Sequence, residues 1–222
     1  MSLSELLRAI GSVRKCAGCG RILPNEAAEQ AFCSNCRRIW SEAETHGCPS
    51  CFAAAVECTC MPRALAKSGA LCLRKAVFYR KTEPWKIENR LILRLKDRPN
   101  RRMERFVARE LAVLAREELA LLEAEPSQAV VTYLPRGRAA KRRAGLDQGE
   151  RMAEALSEVM DIPMVHALAR RGSSRSQKAL GVEERVRNTE HKIIGRDTES
   201  IDGKIVLLYD DVAPQTSISN YR

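Results

Sequence analysis

The stretch KIVLLYDDVAPQTSI, Lys204–Ile218, decides how the larger part of this chain is read. Five apolar or aromatic residues, Ile205 to Tyr209, form a run of strand length, read here as a buried strand. It delivers two carboxylates, Asp210 and Asp211, into a polar loop. Carboxylates at a strand's end grip vicinal sugar hydroxyls or position Mg²⁺ through water. Backbone N–H groups that follow at a helix N-terminus receive phosphate. An acidic pair also ends many strands with no ligand at all, so the pair needs context.

Working outward, Ala129–Leu134 (AVVTYL) reads as a second buried strand. The basic loop PRGRAAKRRAGLDQ follows it, and Arg136, Arg138, Lys141, Arg142, Arg143 and Arg151 face only Asp147 and Glu150 in residues 134–151. In open α/β sheets ligands gather at the carboxyl ends of strands, so these cations suit pyrophosphate or a nucleic-acid backbone. Asp147 and Glu150 make a D-x-x-E signature that starts a helix through Met160. Upstream, Met103, Phe106, Val107, Leu111, Leu114, Leu121 and Leu122 recur at helical spacing and predict a long amphipathic helix. Leu71–Arg80 and Leu91–Leu95 read as strands around the turn KTEPW; Ile162–Leu168 reads as another strand, and Val182–Arg187 as a helical turn. Strand and helix patterns alternating in this way indicate an α/β domain with a parallel sheet.

Composition divides near residue 63, giving 1–63 as one module and 64–222 as the α/β domain. Of nine cysteines, eight lie between Cys16 and Cys60, paired as Cys16/Cys19, Cys33/Cys36, Cys48/Cys51 and Cys58/Cys60. A CxxC turn sets two thiolates on one side of a metal, and two such turns complete a tetrahedral zinc site. Eight thiols allow one or two structural Zn²⁺ ions, joined sequentially or cross-braced, with His46 near the third pair as a substitute ligand. Sites of four cysteines are closed, so this metal is scaffold and replaces a missing apolar core. Cys72 stands alone in an apolar stretch and is expected to pack in the core. Leu3, Leu6, Leu7 and Ile10 suggest a short packing helix, and no apolar run reaches the length of a membrane span. Without an export signal the expected location is cytoplasmic.

The net charge is +10 and the pI near 9.4, which favours phosphate-bearing partners. A second basic zone, Arg74, Lys75, Arg80, Lys81, Lys86, Arg90, Arg94, Lys96 and Arg98, interleaves with Phe78, Tyr79 and Trp85. That mixture suits single-stranded nucleic acid, but alternation puts half of such residues inside, and core residues with a solvated basic face are the preferred reading.

Taken in order, these motifs resemble the ComF family, competence-associated phosphoribosyltransferase-like proteins with an N-terminal double zinc ribbon. The four cysteine pairs match the ribbon, and LILRLKDRPNRRMERFVARELA is similar to the family's I-x-x-x-K-then-helix segment. YLPRGRAAKRRAGLDQGERMAEAL is similar to V-P-L…R-x-x-x-R-G-F-N-Q-x-x-x-L-A, which brings in Arg143, Gly145 and Gln148. SQKALGVEERVRNTE resembles Q-x-x-L-x-x-x-x-R-x-x-N through Gln177, Leu180, Arg185 and Asn188. VLLYDDVAPQTSI stands where the family has V-L-L-V-D-D-V-V-T-T-G-A-T, the loop that binds phosphoribosyl pyrophosphate.

The resemblance implies a phosphoribosyltransferase-like fold, with Asp210 and Asp211 on the ribose hydroxyls and Thr216 and Ser217 near the 5′-phosphate. Arg143 and Gln148 are further ligand candidates, and Mg²⁺ accompanies the pyrophosphate. It also implies contact with a DNA-uptake machinery in natural transformation. Departures matter as well. Ala144 takes the place of the motif's arginine, with Arg143 one residue early, and Pro214, Gln215 and Thr216 replace Thr, Thr and Gly. Proline removes an amide donor and the lost glycine closes the approach to phosphate, which predicts a weakened site. The family also continues with a helix and a strand beyond this point, so the domain is expected to be a fragment or to lack its last elements. The alternative is a non-catalytic zinc-ribbon protein that binds single-stranded nucleic acid through its basic surface.

Overall fold

The computed structural model describes residues 14–24, 30–80, 82–97, 100–137, 141–142, 144–171 and 193–212. The chain forms two compact units: one comprises Met1–Cys60 with Leu73–Arg94, the other Met61–Cys72 with Leu95–Arg222. The expected N-terminal helix and the turn at Val182–Arg187 lie outside the described residues.

In the first unit, helix α1 (Ser34–Glu44) turns Cys36, Trp40 and Ala43 inward. Phe32 and Trp40 pack with ring centroids 5.8 Å apart, and the Trp40 indole N–H donates to Glu44 Oε1 at 2.6 Å. A second cluster consists of Cys48, Ala55, Cys58 and Phe78, so thiols are themselves core residues. A short helix, α2 (Arg63–Lys67), opens the second unit. Residues 71–80 form no strand, and Leu91–Leu95, expected as one, lies within helix α3 (Ile87–Asp97). Ile87, Leu91 and Leu95 are buried at four-residue intervals, a helical period hidden when the run LILRL is read alone. Asn89, 1% exposed, fixes the entry to α3: its amide donates to the carbonyls of Arg80 and Glu83, both at 2.6 Å. Cys72 is exposed rather than packed, because the expected strand that would have buried it does not form.

The second unit is mixed α/β. Helix α4 (Arg101–Leu121) starts at Asn100, whose side chain accepts the Met103 N–H, and buries Met103, Val107, Ala108, Ala112, Leu114 and Leu119. Leu121 and Leu122, expected on that face, are 75% and 42% exposed, since the helix ends there. Helix α5 (Gln148–Met160) is capped by Asp147, which accepts the Gly149 N–H, and it packs on α4. Strand β1 (Ala129–Tyr133) is buried throughout and pairs in parallel with β4 (Ile205–Tyr209), Ala129 opposite Ile205 and Tyr133 opposite Tyr209. On its other side β1 bonds residues 163–165 through Val131 N–H to Pro163 O and Val165 N–H to Val131 O. Thus Met164 makes a parallel bridge where a strand over Ile162–Leu168 was expected. Regular pairing there belongs to the antiparallel β2 (Leu168–Arg170) and β3 (Ile193–Gly195). β4 is only half-buried: Val206 and Leu208 are exposed, because α5 lies against the sheet from one side only among the described elements. No described helix is long and apolar enough to cross a membrane.

Candidate metal centres and the acidic strand end

The eight paired cysteines gather into two groups in sequential order: Cys16, Cys19, Cys33 and Cys36 form one, and Cys48, Cys51, Cys58 and Cys60 the other. Within each group all sulfurs lie within 4.8 Å of one another. Tetrahedral Zn–S bonds of about 2.3 Å require neighbouring sulfurs about 3.8 Å apart. The Cys19–Cys33 and Cys51–Cys58 separations are both 3.8 Å. The donor sets therefore fit closed structural zinc sites, and His46 belongs to neither.

The two groups repeat one turn. Cys16 N–H bonds Arg21 O at 2.7 Å and Gly20 N–H bonds Cys16 O at 3.0 Å; Cys48 N–H bonds Ala53 O at 2.8 Å and Phe52 N–H bonds Cys48 O at 2.9 Å. Gly18 is needed by close approach, since a Cβ there would lie 2.7 Å from Cys36 Sγ and 2.6 Å from Ile87 Cδ1. Gly20 has φ +79°, and Phe52 takes the equivalent position at φ +63°.

Burial opposes ionisation of Cys16, but the amides of Cys19, Cys33 and Gly18 outweigh it and bring the thiol down to about 7. Burial likewise opposes ionisation of Cys48, which the amides of Cys51 and Ser50 bring down to about 6. Cys36 and Cys58 are pushed up, by burial first and neighbouring thiols second. Cys60 is pushed up to about 12, chiefly by its hydrogen bond with Cys51. Within each group the leading cysteine is thus the most readily ionised of the shifted thiols.

In the second unit, the carboxyl ends of β1 and β4 lie side by side, and the chains leaving them carry Arg136 and the pair Asp210–Asp211. Lys96, near the end of α3, pairs with Asp211 Oδ2 at 2.5 Å. Asp211 N–H donates to Asp210 Oδ1 at 2.9 Å. The Asp210 carboxyl is pushed up to about 7 by desolvation and then by the adjacent Asp211 charge, with Lys96 pulling it down. As a residue Asp210 is exposed, so the Asp211 charge is the firmer cause. The Tyr209 phenol is raised by burial, Asp211 and Asp210, against Gln148 and Arg136. Tyr209 thereby marks where these groups meet.

Gln148 is 3% exposed; its Oε1 accepts from Arg136 Nη2 at 2.9 Å, while its buried Nε2 donor, near enough to the Tyr209 phenol to pull it down, has no full hydrogen bond among the described residues. Asp147 Oδ2 accepts the Arg136 backbone N–H at 3.1 Å. Lys141 pairs with Glu150 at 2.9 Å and Arg151 with Glu104 at 2.7 Å. These two cations, expected to serve an anion, are engaged with carboxylates, and Glu150 closes no capping box. Arg143, Thr216 and Ser217 lie outside the described residues, as do Gln177, Leu180, Arg185 and Asn188.

Lys96 was legible only as one cation in a basic zone, although the spacing Ile92 to Lys96 in the I-x-x-x-K segment carried its signal. The chain matches no family model, no curated protein and no solved structure.

Proposed function

We propose that the second unit binds a phosphosugar of the phosphoribosyl pyrophosphate type at the carboxyl ends of β1 and β4, in a chain whose first unit carries two structural zinc ribbons. The observation that carries this reading is the Asp210–Asp211 pair with Lys96, together with the buried amide donor of Gln148, which has no full hydrogen bond among the described residues. Asp210 and Asp211 would take the ribose hydroxyls, Gln148 would donate to a ligand oxygen, and Arg136 would hold the Gln148 amide in that orientation. Mg²⁺ arriving with the ligand would neutralise pyrophosphate charge. Turnover to an acceptor is a further step in the same reading, and the resemblance connects it with DNA uptake.

Titration calorimetry with phosphoribosyl pyrophosphate and Mg²⁺ tests it. Asp210→Ala and Asp211→Ala should each lower affinity by about tenfold or more, a ~1.4 kcal/mol effect for each lost charge-assisted contact. Because Asp210 is pushed up to about 7, affinity should also fall as pH drops from 8 to 6 and the carboxyl takes a proton. The same shift lowers the fold's own stability as pH rises from about 4 to 7, where the unfolded chain has released a proton that the folded one keeps. Equal affinity in both variants and wild type would remove the acidic pair from the site.

A second reading, nucleic-acid binding by the first unit, is favoured by Phe52. This side chain is 83% exposed at φ +63°, a conformation that disfavours a non-glycine residue by about 1–2 kcal/mol. Nothing in the zinc turn needs a ring there, since Gly20 serves in the sister turn. An exposed aromatic on a basic unit is a platform for base stacking. Phe52→Gly should leave the turn intact or slightly more stable and weaken oligo-dT binding about tenfold at low salt. Unchanged anisotropy titrations would eliminate Phe52 as the platform.

A further inference from the structure

The two cysteine centres differ in one covalent detail. The first is built from two CxxC turns, the second from one CxxC turn and the shorter Cys58-x-Cys60. In each centre the leading sulfur of the first CxxC pair receives several amides. Cys16 Sγ receives the Cys33 amide at 3.2 Å together with those of Cys19 and Gly18, and Cys48 Sγ receives the Ser50 amide at 3.4 Å together with that of Cys51. In the shorter turn Cys58 receives one backbone amide, that of Cys60.

Lys75 adds a side-chain donor to this sulfur. Its ammonium reaches Cys58 Sγ at 3.6 Å and is held by the carbonyls of Cys60 at 2.7 Å, Cys58 at 3.3 Å and Leu73 at 3.5 Å. No carboxylate among the described residues forms a salt bridge with it, so its charge is directed at the centre. In the first centre the cations take a different role: Arg94 donates to the Cys16 and Ala17 carbonyls and Arg90 to the Gly18 carbonyl. Among the described residues no side-chain cation reaches a sulfur there. Zinc held by four thiolates carries two surplus negative charges, and a cation beside a ligand sulfur relieves that surplus and holds the ligand in place.

We infer that Lys75 is a positioning residue of the second cysteine centre, supplying the charge and the donor that the Cys58-x-Cys60 turn lacks and setting how tightly that centre holds its metal. This rests on the zinc reading. Hydrogen bonds to metal ligands typically change affinity 10–100-fold; Lys75 is half-buried, so the lower end applies.

The test uses the full chain loaded with zinc, and then with cobalt, as wild type, Lys75→Met, Lys75→Gln and Lys75→Arg. Against a chromogenic chelator, Lys75→Met should release one zinc equivalent about tenfold more readily and leave the other unchanged. Lys75→Gln should move the same way, and Lys75→Arg should stay within a few-fold of wild type. In the cobalt protein, the sulfur-to-metal charge-transfer band of one centre should move to lower energy in Lys75→Met, a change that simple loosening of the fold does not produce. A wild-type chain that takes up fewer than two equivalents overturns the zinc reading and this role with it. Two equivalents that behave alike in wild type and in Lys75→Gln or Lys75→Met, or two that weaken together, overturn the role of Lys75 alone.

Discussion

Removing metal from both cysteine centres is expected to unfold residues 14–60 while helices α4 and α5 keep their protection. Cys16, Cys36, Cys48 and Cys58 are 0–4% exposed, so these sulfurs occupy the space that leucines would fill elsewhere. Apart from Phe32, Trp40 and Leu23, the described residues among the first 60 bury little large apolar surface. Four-cysteine zinc contributes about 10–16 kcal/mol of apparent folding free energy at neutral pH, more than a domain of this size has to lose. Without the ion, nothing would join the four sulfurs of each group, which lie within 4.8 Å of one another. Amide hydrogen exchange after chelation should show α1 and both turns exchanging at unfolded rates, with 101–121 and 148–160 still slow. Persistent protection of α1 in protein shown by elemental analysis to be metal-free would refute the scaffold role. Acid should act as a chelator does, because Cys36, Cys58 and Cys60, pushed up in the metal-free form, regain protons first.

Local chemistry was legible in the sequence wherever one short segment decides the outcome. The cysteine pairs marked the eight clustered thiols while leaving their number of groups and their pairing open, Asp147 marked the start of α5, and AVVTYL marked β1, because caps, turns and buried runs act over a few residues. Leu91–Leu95 misled because five apolar-rich residues satisfy a strand period until Ile87 is counted with them. Val206 and Leu208 looked buried because composition is blind to which face a neighbour covers. The candidate acidic site was half legible. Asp210, Asp211 and Gln148 stood out by motif, but the ion pair of Lys96 with Asp211 spans 115 positions along the chain. Arg151 was miscast for the same reason: its carboxylate partner is Glu104, 47 residues away, and no local pattern announces it.

That last pair yields the second large prediction. Glu104 is 5% exposed and accepts two parallel bonds from Arg151, Nε to Oε1 at 2.8 Å and Nη2 to Oε2 at 2.7 Å. Its Oε1 also accepts the Asn100 N–H at 3.2 Å, which tightens the start of α4. A buried carboxylate held this way leaves its partner uncompensated when it is lost, and removing one member of such a pair costs about 3–5 kcal/mol. The Arg151 side chain is 30% exposed, so water recovers part of this, and Glu104→Gln should destabilise the second unit by about 2–3 kcal/mol. Urea unfolding followed by helical signal reads the change, and a loss below about 0.5 kcal/mol would place the pair among ordinary surface bridges. Replacing both residues by leucine should be milder than Glu104→Gln, since no buried charge is stranded. The effect should reach the acidic strand end as well. Arg151 lies on the first turn of α5, and the same turn holds Gln148 against Arg136. If that pair anchors the turn, Glu104→Gln weakens phosphosugar binding together with stability, while the leucine pair restores stability more fully than binding.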